Sequence, residues 1–264
     1  MNTSNLLLEK SETLTKNDFD HLLNEQILTL AVNEFLPCEL TQALQQKLSQ
    51  LKTDGKQFKG GAPINRIGQP WFTTKHGQQH EQEYFEQARQ LHQLMAEVAK
   101  PYQPPIDRVV AMFDRIWPGG AMIGKIDGQL MSAGLVRDIT KGKSLPWHVD
   151  ANRFGPDGRR GTVLDTANIN LFGNIYITTD GHSGRLKCKN QRPNPLHYSR
   201  INNTGFGANE FELEADVDYL PLAGTLALGH ADKWHKVDET VGRRITVSFF
   251  VAVYDEQSPL IIYS

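Results

Sequence analysis

The pentad Pro101-Tyr102-Gln103-Pro104-Pro105 divides this chain into two textures, and no regular element is expected to run through it. Proline lacks the backbone N–H and pushes the residue before it out of the helical region. On the N-terminal side, Tyr84, Ala88, Leu91, Leu94, Met95 and Val98 recur at helical spacing within Glu81 to Ala99. Glu39 to Leu51 likewise places Leu40, Ala43, Leu44 and Leu48 on one face. Gln26 to Val32 reads as a strand and Phe35-Leu36-Pro37 as a turn, while residues 52–80, rich in Gly, Lys and Gln, read as loop. Residues 1–20 are polar and expected to be loosely ordered. Beyond the pentad, short β-type runs alternate with turns: Ala133–Ile139, Ala167–Ile177, Gly184–Lys189, Thr225–Leu228 and Arg244–Tyr254. The expected architecture is mainly β with a helical annex. Residues 106–264 would form a double-sheet jelly roll, residues 21–105 a helical N-terminal section, and the whole of 1–264 one structural unit.

Composition narrows the function classes. The chain has 264 residues, 39% hydrophobic and 22% charged, which is ordinary globular usage and enough for a sizeable core. A formal net charge of −2 without any Lys/Arg stripe argues against a dedicated nucleic-acid or membrane-surface binder. An acidic small substrate stays compatible, since one or two arginines suffice to hold it. The two cysteines, Cys38 and Cys188, form no Cys-x-x-Cys and read as ordinary thiols of a reducing compartment, Cys188 as a buried strand thiol. The first residues lack the basic start and long apolar region of a leader, so a cytoplasmic location is expected.

Chemistry enters at Trp147-His148-Val149-Asp150. In an extended segment, residues two apart point the same way, so the imidazole and the carboxylate can reach one ion. His-x-Asp is a common coincidence in a chain with nine histidines, and His230-Ala231-Asp232 is a second instance. Context separates the two. Downstream of the first pair come the turn and apolar run Leu220–Leu228, then Lys233-Trp234-His235-Lys236-Val237, then the run led by Gly242-Arg243-Arg244. His235 thereby completes a two-histidine, one-carboxylate set, a facial triad that leaves metal positions open and suits Fe(II). His230 and Asp232 read as loop residues. On the last strand Arg244 shares a face with Thr246, whereas Arg243 points the other way. A guanidinium pairs bidentately with a carboxylate, so Arg244 is suited to grip a dicarboxylate.

From Ala133 to Tyr254 the sequence resembles the 2-oxoglutarate/Fe(II)-dependent oxygenases, especially their prolyl-hydroxylase-like branch, and the opening at residues 26–51 is a weaker echo of the same branch. The resemblance implies a double-stranded β-helix, or jelly roll, with His148, Asp150 and His235 as iron ligands. It also implies that Arg244, nine positions past His235, binds the far carboxylate of 2-oxoglutarate, with Thr246 as the hydroxyl residue that often follows. The implied activity is hydroxylation: O2 oxidises 2-oxoglutarate to succinate and CO2 while one oxygen atom enters a substrate C–H bond. Because Asp150 is intact, hydroxylation is expected rather than halogenation.

Other residues are open to two readings. Asn168, Asn170 and Tyr176 share strand parity, and one of them can hydrogen-bond the cosubstrate, Asn170 and Tyr176 being the preferred candidates. Trp147 and Trp234 flank ligands and either wall the substrate pocket or pack in the core. Arg137 is a substrate-binding candidate or a surface cation. The stretch from Asp180 to Asp218 carries His182, Arg185, Lys187, Lys189, Arg192, His197, Tyr198 and Arg200, a basic pocket mouth or a solvated insertion. The expected substrate is a small polar metabolite, foremost a free or carrier-bound amino acid. The alternatives are a partner polypeptide, which would need an open groove, and a cupin-like metal module without 2-oxoglutarate chemistry, which would place no arginine beside the metal.

Overall fold

A computed structural model describes residues 6–11, 13–51, 64–150, 162–194 and 213–264. The chain runs β1 (Leu7–Ser11), α1 (Lys16–Leu23), β2 (Thr29–Asn33), α2 (Cys38–Gln50), β3 (Asn65–Ile67), a 3₁₀ turn (Trp71–His76), α3 (Gln78–Ala99) and α4 (Pro105–Ile116). Then follow β4 (Ala121–Ile123), β5 (Lys125–Ile126), β6 (Gln129–Leu130), β7 (Leu135–Ile139), β8 (Lys143–His148), a second 3₁₀ turn (Val163–Thr166), β9 (Ile169–Thr178) and β10 (Leu186–Cys188). The chain closes with β11 (Val217–Tyr219), β12 (Leu226–His230), β13 (His235–Thr240), β14 (Arg244–Val253) and β15 (Leu260–Tyr263).

The strands make a large mixed sheet and a smaller antiparallel one. The large sheet has the order β1-β2-β12-β9-β14-β15-β4, with β7 paired to β14 and β3 to β7. The small sheet has the order β11-β10-β13-β8. The ten-residue β14 organises the large sheet: one edge pairs with β9 along its whole length, and the other pairs first with β7 and then with β15. Its alternation decides what lies on each side. Ile245, Val247, Phe249, Val251 and Val253 belong to the main core, together with Phe19, Leu40, Leu44, Leu91, Val109 and Phe113 of the four helices. Arg244, Thr246 and Ser248 face the small sheet instead, and Phe172 and Tyr176 of β9 pack there with Leu186, Cys188, Val217 and Tyr219.

Two sequence expectations change here. The strand expected at residues 26–32 is β2, but the N-terminal section also holds β1, which pairs parallel to β2, and β2 joins β12, so the segment extends the large sheet. Nor are the described residues 7–11 and 13–20 loosely ordered: α1 is closed by a capping box in which Thr15 accepts from the Asp18 N–H and Asp18 accepts from the Thr15 N–H. Locally this stretch looks polar, yet Leu14, Phe19 and Leu22 are buried in the core, with Phe19 wedged against Phe113 (5.0 Å between centroids) and Trp117 (5.8 Å). The proline pentad, read only as a breaker, also starts α4. Pro105 occupies the first turn, where the missing N–H costs nothing, and Ile106, Val109, Met112 and Phe113 then line the buried face.

Phe19→Ala is therefore expected to cost about 3–5 kcal/mol in denaturant unfolding, the penalty of deleting a buried aromatic. A loss below roughly 0.5 kcal/mol, as for a surface change, would show instead that the N-terminal segment is a dispensable tail.

Candidate metal centre

Where the two sheets face each other they line a small cavity that opens to solvent. The large sheet contributes Arg137 from β7, Phe172 and Asn174 from β9, and Arg244, Thr246 and Ser248 from β14. The small sheet contributes Leu145 and His148 from β8, Leu186 from β10, and His235 and Val237 from β13, with Asp150 just beyond β8. Among the described residues, His148, Asp150 and His235 form a group able to hold a metal ion, their donor atoms all within 4.8 Å of one another.

Local geometry explains why these three converge. His148 and His235 are register partners on β8 and β13, with ring centroids 4.2 Å apart. The ladder then slips, so that two residues of β13 (His235 to Val237) span three of β8 (Leu145 to His148). This bulge lets Leu145 and His148 face inward together although they differ in parity. Trp147, next to the inward-facing His148, points outward by ordinary alternation. Each histidine gives its Nδ1 proton to the carbonyl two residues before it: His148 to Pro146 at 2.8 Å and His235 to Lys233 at 2.9 Å. A carbonyl only accepts, so the proton sits on Nδ1 and both Nε2 atoms face the cavity. His235 Nε2 lies 3.2 Å from Asp150 Oδ2, and His148 Nε2 lies 3.8 Å from Asp150 Oδ1. Bonds of about 2.0–2.2 Å to a common metal place neighbouring ligand atoms about 3 Å apart, close to these gaps. The donor set, two imidazoles and one carboxylate on one side, fits a first-row divalent ion with open positions.

The electrostatics suit a cation. Burial, then the neighbouring His235, lowers His148 to about 4, so its imidazole is neutral and ready to bind metal near neutral pH. Burial alone would raise the Asp150 carboxyl. The neighbouring His235, His148 and Arg137 together outweigh it and hold the group below the usual carboxylate range.

The Ala231–Trp234 turn steadies two ligands at once. The Asp150 N–H donates to the Ala231 carbonyl at 2.8 Å, and the Lys233 carbonyl takes the His235 proton. The turn is itself tied down: Lys233, though buried, reaches Glu25 at 2.8 Å and Asn190 at 2.6 Å, while Arg192 bridges Glu25 and Asp232. The second His-x-Asp pair thus has structural work. A ring nitrogen of His230 bonds the Leu22 carbonyl at 2.8 Å, and Asp232 takes the Arg192 Nε at 2.7 Å.

The remaining candidates sort by face. Arg244 enters the cavity; its Nη2 donates to the Tyr176 hydroxyl at 3.2 Å, its guanidinium lies 4.9 Å from that ring, and its Nε has no acceptor among the described residues. Arg243 turns outward and grips Asp138 with two bonds of 2.9 Å. Thr246 donates to Ser248, which donates to Asn174 Oδ1 at 2.7 Å, a proton order fixed by the amide oxygen at its end. Asn170, preferred on parity, does not line the cavity: it accepts from the Tyr263 hydroxyl at 3.2 Å. Asn168 bonds the Tyr254 carbonyl. Both precede the cavity along β9 by one or two strand repeats of roughly 6.6 Å, and Asn174, which the sequence reading passed over, takes the place. Phe172 was also missed. It packs on His235 with 4.5 Å between ring centroids, and its ring passes so close to Gly229 that a β-carbon there would lie 2.5 Å from it. A glycine inside a buried strand was the available signal for that close approach.

Trp147 and Trp234 are not pocket walls; they pack with Val149 in a separate cluster on the other side of the small sheet. Nor do the described basic residues of the 180–218 stretch face the pocket mouth. Arg185 pairs with Asp218, Lys187 with Asp238 and Lys189 with Asp216. His197, Tyr198 and Arg200 lie outside the described residues. Cys188 is buried, which pushes its thiol up to about 12. No helix of the described chain is long and apolar enough to cross a membrane.

With this geometry in place, comparison with solved structures defines the class of fold: it is the fold of the 2-oxoglutarate/Fe(II)-dependent oxygenases. An N-substituted L-amino acid dioxygenase from Burkholderia ambifaria AMMD superposes with a TM-score of 0.62 at 15% identity, over 94% of this chain and 91% of that one. Its complex with alpha-KG gives 0.60 at 14% identity, over 94% and 90%. HygX from Streptomyces hygroscopicus, with nickel and 2-oxoglutarate bound, gives 0.52 at 12% identity, over 91% and 88%. No family model and no curated protein sequence matches the chain.

Glu25 offers a test of the clamp behind the site. The Arg192 hydrogen bond, aided by Lys233, lowers its carboxyl from 4.5 to about 2. A depressed carboxyl contributes stability above its unfolded pKa and loses it as pH falls through the folded value. Glu25→Gln is expected to cost about 1–3 kcal/mol at pH 7, between exposed and buried ion-pair values because Glu25 is partly exposed while Lys233 is buried. That penalty should shrink as pH drops from about 4.5 towards 2. A penalty independent of pH in urea unfolding would show that the carboxylate charge is not what holds the turn.

Proposed function

We propose that this protein is an Fe(II)/2-oxoglutarate-dependent dioxygenase, built on a double-stranded β-helix, that hydroxylates a small polar metabolite, foremost a free or carrier-bound amino acid. One observation carries the reading: the cavity that gathers His148, Asp150 and His235 also holds Arg244, a cation on the neighbouring sheet with its Nε unpaired. In this reading His148 and His235 present their Nε2 atoms to the metal, and Asp150 supplies the ligand carboxylate. Arg244, braced against Tyr176, grips the far carboxylate of 2-oxoglutarate, and Thr246 stands beside it. When bound, iron with 2-oxoglutarate supplies oxidative chemistry that turns O2 and the 2-oxo acid into succinate, CO2 and a hydroxylated substrate. Phe172 and Leu186 exclude water from the metal side of the cavity. An intact Asp150 favours hydroxylation over halogenation.

The alternatives meet specific objections. A cupin-like metal module without 2-oxoglutarate gives no account of two arginines directed at the metal cavity. A protein hydroxylase would be served by an open groove with apolar anchors, whereas convergent charged groups line this cavity, as suits a metabolite. The amino-acid dioxygenase among the similar structures agrees with the metabolite reading.

A succinate-release screen with Fe(II), 2-oxoglutarate and panels of amino acids, peptides and sugars tests this. Coupled turnover is expected with a small polar acid or amino acid, and Asp150→Ala or His235→Ala is expected to lower it by at least about 100-fold. Coupled turnover confined to peptides would move the substrate to a polypeptide, and activity retained in either variant would refute the ligand assignment.

A further inference from the structure

We propose that Arg137 is the receptor for a carboxylate on the substrate, so that the enzyme selects acids over their neutral analogues; this rests on the dioxygenase reading above. Arg137 lies on β7 opposite Thr246 of β14, while Arg244 lies opposite Ile139. The two arginines are therefore diagonal neighbours across one strand pair, roughly 7–8 Å apart at the backbone, and both line the cavity.

The other buried or half-buried arginines nearby have partners. Arg243 holds Asp138, Arg192 holds Glu25 and Asp232, and Arg244 at least touches Tyr176. Among the described residues the Arg137 side chain forms no hydrogen bond or ion pair, and its Nε is buried without an acceptor. Burial weakens its hold on the proton, and Asp150 is the carboxylate that acts on it through space. A guanidinium does not discharge near neutrality, so this cation stays charged and incompletely compensated in a desolvated place.

Charge accounting shows what it lacks. Two guanidinium cations and a divalent metal, set against the Asp150 carboxylate and a dicarboxylate cosubstrate, leave one positive charge over. Arg244 faces Tyr176, away from the metal, and is placed for the far end of 2-oxoglutarate. Arg137 is the arginine coupled to the metal carboxylate Asp150. A monoanion held by its fork balances the site and brings the adjoining carbon chain beside the metal. A carboxylate is the planar anion whose two oxygens match that fork.

The test uses thermal-shift titration of the protein loaded with Ni(II) and 2-oxoglutarate. The probes are the free L-amino acids and their N-acetyl derivatives, each paired with its own carboxamide. At least one acid is expected to bind roughly 10–100-fold more tightly than its amide, the range of a charge-assisted pair. That preference should vanish in Arg137→Met and Arg137→Gln and persist in reduced form in Arg137→Lys. Affinity for 2-oxoglutarate should change less than about threefold in all three. Because Arg137 has no partner to lose, the neutral variants are expected to melt no lower than wild type. Four results would overturn the proposal: equal binding of acid and amide by wild type, an acid preference that survives in both neutral variants, a marked fall in their melting temperature, or a tenfold loss of 2-oxoglutarate affinity with the acid preference unchanged. If 2-oxoglutarate fails to stabilise the metal-loaded wild type, the dioxygenase reading fails by itself. The same acid and amide series on the metal-loaded protein then decides the role of Arg137.

Discussion

Both histidines of the site are held by the same short bond, an Nδ1–H donated to the carbonyl two residues upstream, and the rest of the centre depends on it. The bond fixes the tautomer, aims Nε2 at the cavity and stops the ring from turning. It works only if the carbonyls stand still. Pro146 is stiffened by its ring and by the bulge in β8, whereas Lys233 sits in a turn pinned by Glu25, Arg192 and Asn190. Glu25 belongs to the N-terminal segment, so the first helix and strands contribute to the site at a distance, through a chain of ion pairs and one carbonyl.

Positive charge follows a matching division. On the outer side of the small sheet, Arg185, Lys187 and Lys189 are matched with carboxylates. Inside the cavity, Arg137 and Arg244 are left without one, facing a site that carries a single ligand carboxylate. Pairing these two arginines internally would stabilise the empty protein and remove the reason for an anionic ligand to bind. Withheld pairing of this kind is how a site spends stability on recognition.

Much of this was legible in the sequence. Alternation along the last strand put Arg244 and Arg243 on opposite sides, because β14 keeps an unbroken register with β7 from Arg244 to Ser248 and the slip against β9 at Ile245–Thr246 is taken up by an extra residue of β9. His148 and Asp150 converge although Asp150 lies past the end of β8, because the Asp150 N–H is held by the Ala231 carbonyl. Adjacency misled where alternation did not: Trp147, next to His148 in sequence, faces the other way, and parity alone could not say how far along β9 the cavity reaches, so Asn170 was named and Asn174 was passed over. Helix α4 was hidden because proline reads equally as a stop and as a start. The anchoring of the N-terminal segment depends on Phe19 finding Phe113 and Trp117, a contact about a hundred residues away in sequence that no local pattern encodes.

The central claim is that one cavity holds the metal through His148, Asp150 and His235 and the 2-oxo acid through Arg244. Anaerobic titration of the protein with Fe(II) and then 2-oxoglutarate tests it most directly, through the weak visible charge-transfer absorption of a 2-oxo acid chelated to iron. One equivalent of each is expected to develop that band, with Arg244→Gln raising the 2-oxoglutarate concentration required by at least about tenfold and His235→Ala abolishing it. A wild-type protein that binds Fe(II) yet develops no band at saturating 2-oxoglutarate would contradict the account.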